Sequence, residues 1–152
     1  MSARSTVEDI RLALETAGMA PLRAVPEDMS SLNAEAGAYL LVIELSKAVG
    51  TRVNRRSTGQ LPPGAYIYAG SAKGPGGLAA RLRRHFRRDK KHHWHVDALT
   101  VEADALSALA IAGADECELA AHLLRTGRFG IAIDGFGSTD CTRCRSHLLK
   151  PL

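Results

Sequence analysis

The stretch that most constrains the fold of this chain is residues 66–95, YIYAGSAKGPGGLAARLRRHFRRDKKHHWH. It opens with alternating aromatic and apolar residues that predict a strand over residues 65–70. A Gly/Pro-rich turn follows. The apolar residues at four-residue spacing after it predict a helix over 78–88 with a narrow buried stripe, Leu78, Leu82 and Phe86. A strand, a flexible turn and a basic helix beside histidines are suited to holding a phosphate.

Positive charge is concentrated in this stretch. The 152-residue chain has a net charge of +4, whereas acids and bases nearly balance outside the helix and its flank. The clustered cations are Arg81, Arg83, Arg84, Arg87, Arg88, Lys90 and Lys91. Such local charge predicts a polyanion or phosphate partner at one face. A solvated basic helix without a ligand is the alternative.

The chain has three cysteines, and its first residues, MSARSTVED, lack the apolar core of a signal peptide. No apolar run approaches the length of a membrane span. We therefore expect a cytoplasmic protein with reduced thiols or a metal site rather than disulfides.

Residues 1–35 are expected to form an accessory N-terminal helix and loop, and residues 36–152 the main domain. Ser5 and Glu8 have capping-box spacing, and Gly18 can end the helix. The buried face of that helix would consist of Val7, Ile10 and Leu14.

The remaining elements follow from apolar patterns. Gly37–Leu45 is nearly continuous in apolar residues and predicts a central strand. Further strands are expected at 51–56, 95–100 and 106–112. Asp115 can cap a helix that ends at Arg125.

Four groups of residues could carry chemistry. Tyr39 and Tyr68 lie on the two clearest strands, and their phenols would meet if those strands pair. Arg81 can bind a phosphate, and His85, one helical turn later, can move a proton.

A helical carboxylate, Glu118, is the candidate ligand for Mg²⁺ or Mn²⁺, with Glu116 as the alternative. Magnesium needs only one or two protein carboxylates beside water and substrate phosphate.

The last group has the zinc-ligand spacing Cys141-x-x-Cys144-x-x-His147. A second ligand pair is missing, so His93 or His95 would have to supply a fourth ligand. Packing or substrate contact is therefore favoured over zinc. Candidate nucleic-acid contacts are Lys73, Arg84, Arg88, His93 and His95.

These residues together resemble a known family. Gly37-Ala38-Tyr39 and Tyr68-Ala69-Gly70, followed by Ser71-Ala72-Lys73 and the Arg81-x-x-x-His85 helix, are similar to the motifs of the GIY-YIG nuclease superfamily. The HWHVD run at 93–97 and the tail at 135–148 resemble its single-domain, Uri-type members.

The resemblance implies an α/β domain with a three-stranded antiparallel sheet flanked by helices. It also implies metal-dependent hydrolysis of phosphodiester bonds in DNA, including single-stranded or structured DNA. Tyr39 and Tyr68 would be the motif tyrosines, Arg81 the phosphate-contacting arginine and His85 its partner. Glu118 would bind the metal.

Two features depart from the family pattern. Residues 47–64 lengthen the gap between the tyrosine motifs, which predicts an added hairpin beside the sheet. The family's late asparagine is missing, and Ser138, Thr139 or Asp140 would have to replace it. The alternative function is a non-catalytic nucleic-acid-binding module with the same fold.

Overall fold

A computed structural model describes residues 3–54, 56–136 and 144–152. It contains four helices and eight strands in these ranges. In chain order they are α1 (Ala3–Thr16), β1 (Leu22–Ala24), β2 (Gly37–Leu45), β3 (Val49–Arg52), β4 (Thr58–Leu61), β5 (Gly64–Ala72), α2 (Gly77–Phe86), α3 (Asp97–Glu102), β6 (Ala105–Ala112), α4 (Glu116–Arg125), β7 (Phe129–Ile131) and β8 (Leu148–Pro151).

An antiparallel sheet of six strands, in the order β1-β6-β2-β5-β8-β7, forms the centre of the fold. Helices flank it, so the predicted mixed α/β class is confirmed at this level. The expected three-stranded sheet is wrong, because β1, β7 and β8 extend it. Each of these strands has only three or four residues, too few to give a clear alternating pattern.

The central strand β2 is buried on both faces of the sheet. Alternate side chains point to opposite faces, so Tyr39 and Leu41 join one core cluster and Leu40 and Val42 the other. Leucines of α2 and α3 complete the first cluster, and those of α1 and α4 the second. This double burial explains the nearly continuous apolar sequence of β2.

The N-terminal helix forms as predicted, with Val7, Ile10 and Leu14 buried. It begins at Ala3, before the expected cap, and ends ahead of Gly18, whose φ of 83° requires a residue without a Cβ. Residues 19–35 are not entirely a loop, because β1 pairs with β6. The segment before residue 36 thus adds a helix and a strand to the same core.

The predicted strand at 95–100 is wrong, since α3 occupies most of it. The buried carboxylate of Asp97 accepts hydrogen bonds from the backbone N–H groups of His93 and Trp94. These bonds fix the turn that leads into the helix.

The expected edge strand at 51–56 is replaced by β3, which pairs only with β4. The insertion at 47–64 therefore forms the predicted hairpin beside the main sheet. Among the described helices, none has the length and apolar character that crossing a bilayer requires.

Candidate active site

A buried pair, Tyr39 on β2 and His85 on α2, forms the centre of the site. The phenolic oxygen lies 2.6 Å from Nε2 of the imidazole. Both residues are almost fully enclosed, with exposed fractions of 2% and 1%. The other ring nitrogen, Nδ1, has no hydrogen-bond partner among the described residues. Tyr39 and His85, two separately predicted site residues, are thus brought together by a bond that the sequence did not predict.

Burial keeps this pair uncharged. It lowers the pKa of His85 to about 3, with a further decrease from the charge of Lys90. Burial also raises the pKa of Tyr39 well above its usual range, although the neighbouring Arg81 opposes the increase. At neutral pH the site therefore contains a neutral imidazole bonded to a neutral phenol.

A glycine makes room for the Tyr39 phenol. Gly70 on β5 is directly paired with Tyr39 on β2. A Cβ added at Gly70 would overlap the phenolic oxygen. The glycine of the YAG triplet is therefore required by the close approach of Tyr39.

The second tyrosine and the arginine lie beside this pair. The ring centroid of Tyr68 is 6.3 Å from that of His85, and Tyr68 is only half-buried. Arg81 donates from Nη1 to the carbonyl oxygen of Ser71 at 3.1 Å, and its guanidinium lies 4.4 Å from the centre of the Trp94 ring. Both side chains are therefore partly exposed next to the buried pair.

Two acids on α4 occupy different positions. Glu116 is half-buried, and its Oε2 is enclosed without a hydrogen-bond partner among the described residues. Burial chiefly, with the charges of Asp97 and Glu116, raises the pKa of Tyr68 to about 12 against the opposing effect of Arg81. Glu118 is exposed, because residues two apart on a helix point in nearly opposite directions. Of these two acids, Glu116 is the one whose charge acts on Tyr68.

Two of the predicted nucleic-acid contacts are engaged within the chain. Arg84 donates to both carboxylate oxygens of Asp97, at 3.0 and 2.9 Å. Arg88 donates to the backbone carbonyl oxygens of Val101 and Ala103. These guanidinium groups hold the segment between α2 and β6 in place.

Asp97 is the buried centre of that segment, with no exposed surface. Although burial alone would raise its pKa, hydrogen bonds from Arg84 and from the backbone of Trp94 and His93 lower it to about 2. Sequence reasoning missed this role. The only available signal was an acid directly after the HWHV run.

Other cations and histidines in and around α2 are exposed or half-buried. His93 is exposed with its ring 5.1 Å from that of Trp94, and His95 is half-buried beside Phe136. The exposed lysines and arginines around α2 are Lys73, Arg83, Arg87, Arg88 and Lys91. Of the predicted contacts, Lys73, Arg88 and His93 are therefore exposed to solvent.

A second cluster joins Cys117 on α4 with Cys144 and His147, which precede β8. Their ligand atoms lie within 4.8 Å of one another. The Sγ of Cys117 is 3.6 Å from Nε2 of His147. Sequence reasoning expected His93 or His95 here and missed Cys117, which lies 30 positions from His147. Cys141 lies outside the described residues, as do Ser138, Thr139 and Asp140.

Comparison with known protein families gives one match. The family described as "Domain of unknown function DUF123" matches residues 38–151, about three quarters of the chain. The chain belongs to the DUF123 family. No curated protein and no solved structure matches it.

The DUF123 region contains both clusters. Tyr39, just inside its start, and His147, near its end, belong to the matched residues, whereas α1 and β1 precede them. Both clusters of this chain therefore lie within the matched residues.

Proposed function

We propose that this protein is a divalent-metal-dependent endonuclease that hydrolyses phosphodiester bonds in DNA. The observation that carries the proposal is the buried Tyr39–His85 hydrogen bond with Arg81 beside it, together with Glu116, whose charge acts on the neighbouring Tyr68. These groups can orient a water, neutralise charge on a phosphate and bind a cation, which together favour phosphodiester hydrolysis.

Glu116 is the residue that would hold the cation. Its Oε2 is enclosed and has no partner among the described residues, and a buried carboxylate oxygen in that state is costly unless a ligand satisfies it. Magnesium or manganese fits a single protein carboxylate, because water and substrate phosphate complete its coordination. A bound cation would supply charge for the phosphate and lower the pKa of a bound water.

Arg81 would contact the scissile phosphate. A guanidinium has five N–H donors, and the bond to Ser71 involves only Nη1. Stacking on Trp94 fixes the plane of the group. The remaining donors can therefore offset the negative charge that develops on the phosphate oxygens.

Tyr39, held in place by His85, would orient the attacking water. Because the phenol resists ionisation, it cannot act as a free phenolate at neutral pH, and His85, with a pKa of about 3, is too weak a base to accept the proton. The phenolic oxygen can accept a hydrogen bond from the water while its own O–H donates to Nε2 of His85. The proton would leave for solvent from a water whose pKa a bound cation lowers. Tyr68, half-buried beside the pair, would position that water.

The decisive experiment compares the two acids of α4. Purified protein is incubated with labelled single-stranded, double-stranded and branched DNA in Mg²⁺ or Mn²⁺. We expect Glu116→Gln to abolish nicking and to leave DNA binding nearly unchanged, since the basic helix is untouched. Glu118→Gln, an exposed change on the same helix, is the matched control and should cleave normally. Loss of cleavage in Glu118→Gln alone would instead assign the metal to Glu118.

A non-catalytic nucleic-acid-binding module is the second candidate. It is favoured by one observation, the raised pKa of both phenols. Its signature would be an electrophoretic shift of DNA without turnover of any of these substrates in either metal. That result would replace the endonuclease proposal.

A further inference from the structure

We propose that Cys117, Cys144 and His147 form a zinc site that is separate from the tyrosine–histidine centre. The three donor atoms lie within 4.8 Å of one another, although they come from α4 and from the segment before β8. Nothing in the Tyr39–His85 chemistry uses these residues. The inference does not depend on the endonuclease proposal.

The donor set and its spacing fit zinc. Two thiols and one imidazole are ligands that Zn²⁺ prefers, whereas Mg²⁺ prefers oxygen. Typical Zn–S and Zn–N bond lengths at a tetrahedral angle place sulfur and nitrogen roughly 3.6 Å apart. The Sγ of Cys117 and Nε2 of His147 are 3.6 Å apart. These two atoms are therefore already at the separation of two ligands of one ion.

The surroundings also suit a metal ligand set. Cys117 and His147 are buried, each with an exposed fraction of 6%, and Cys144 is half-buried. Cys117 and Cys144 both line a groove of about 950 Å³ beside α4. Three protein ligands leave a fourth position for water or another ligand, and the groove gives it access. On binding, the two thiols lose their protons and the imidazole binds as the neutral base.

A zinc ion here would tie the first turn of α4 to the beginning of β8. Cys117 directly follows Glu116, and the backbone of His147 bonds to Ala69 of β5 and to Phe136. The metal would thereby fix the helical turn that carries Glu116 against the sheet. We assign it a structural role because no proton-transfer group of the site is among its ligands.

Metal analysis of the intact protein tests the site without any activity measurement. Protein purified from zinc-supplemented medium without chelators should contain about one zinc per chain. Titration with an organomercurial should release that zinc in step with thiol modification. Replacement by Co²⁺ should give the thiolate-to-cobalt absorption band of a tetrahedral sulfur site. The readouts use the unmodified chain, so they stand even if variants fold poorly.

Variants then identify the ligands. Cys117→Ser and His147→Asn should each reduce zinc to less than about a tenth per chain and lower the melting temperature. His122→Asn, which removes a histidine of the same helix outside the cluster, should retain zinc. Zinc-free protein that also fails to bind Co²⁺, or a Cys117–Cys144 disulfide in the freshly purified chain, would overturn the proposal. Neither outcome would affect magnesium-dependent cleavage as a test of the proposed function.

Discussion

The phenolic oxygen of Tyr39 and Nε2 of His85 lie 2.6 Å apart, although the two residues are 46 positions apart in the chain. The bond links β2 to α2 at the first core cluster, where both side chains are almost fully enclosed. A buried hydrogen bond of this kind is costly to break, because the remaining partner stays unsatisfied. It therefore fixes the helix that carries Arg81 against the sheet.

Removing the Tyr39 hydroxyl should separate its chemical role from its packing role. Tyr39→Phe preserves the ring but leaves His85 without its partner. We expect a loss of about 1–3 kcal/mol in the free energy of unfolding and a decrease in cleavage of about a hundredfold or more. Denaturant titration and single-turnover nicking measure the two effects. Tyr66→Phe, which removes another strand hydroxyl bonded to the carbonyl of Pro62, is the control and should cleave normally.

A methyl group at Gly70 should displace the phenol. The added Cβ of Gly70→Ala would overlap the oxygen of Tyr39, and such overpacking costs about 1–3 kcal/mol. The melting temperature should fall, with the ring of Tyr39 shifted from His85. Gly74→Ala is the matched control, because its Cβ would meet only Arg81 Nη2 at 3.9 Å. Equal stability of the two variants would contradict the tight packing of Tyr39 on Gly70.

Stability should fall as the pH decreases from neutrality. The pKa of His85 is about 3 in the folded state, below the unfolded value of about 6.5. The unfolded chain thus binds more protons between these values, and the folded state loses about 1.4 kcal/mol per pH unit in that window. Burial also lowers the pKa of His147, which adds to the effect.

Replacing His85 should make the free energy of unfolding depend less steeply on pH, because one fewer proton is taken up on unfolding. Unfolding titrations of His85→Gln between pH 6 and 4 should show a shallower slope than the parent chain, by about one proton. Above pH 5 Asp97 makes little contribution, because it is ionised both in the folded state, where its pKa is about 2, and in the unfolded chain, where its pKa is about 3.9. His92→Gln, a substitution at an exposed position, should leave the slope of unfolding free energy against pH unaltered. An unchanged slope in His85→Gln would mean that the imidazole is not held neutral by burial.

Arg84 in α2 and Arg87, which directly follows α2, should affect different properties. Arg84→Ala leaves the buried Asp97 without its bidentate partner and should cost about 3–5 kcal/mol of stability. Arg87→Ala removes an exposed charge. It should leave stability nearly unchanged but weaken DNA binding and reduce the salt dependence by about one ion. Thermal unfolding measures the loss of stability in Arg84→Ala. Fluorescence anisotropy of labelled DNA at several salt concentrations measures the weaker binding by Arg87→Ala.

Local sequence patterns predicted the long elements well. Strands β2, β5 and β6 and helices α1, α2 and α4 all lie where apolar periodicity and turn residues placed them. Asp115 caps α4 as predicted, accepting a hydrogen bond from the backbone of Glu118. These elements follow from interactions between near neighbours, which a single sequence displays directly.

The sequence alone determined the order of the main strands and helices, the position of the basic helix and the candidates Tyr39, Tyr68, Arg81 and His85. The tertiary structure decided that Tyr39 bonds to His85, which acid of α4 acts on Tyr68 and which arginine bonds to Asp97. It also decided that Cys117 joins Cys144 and His147. The reason is physical: periodicity defines a helix and its apolar stripe, but contacts between distant segments set which polar side chains meet beside that stripe.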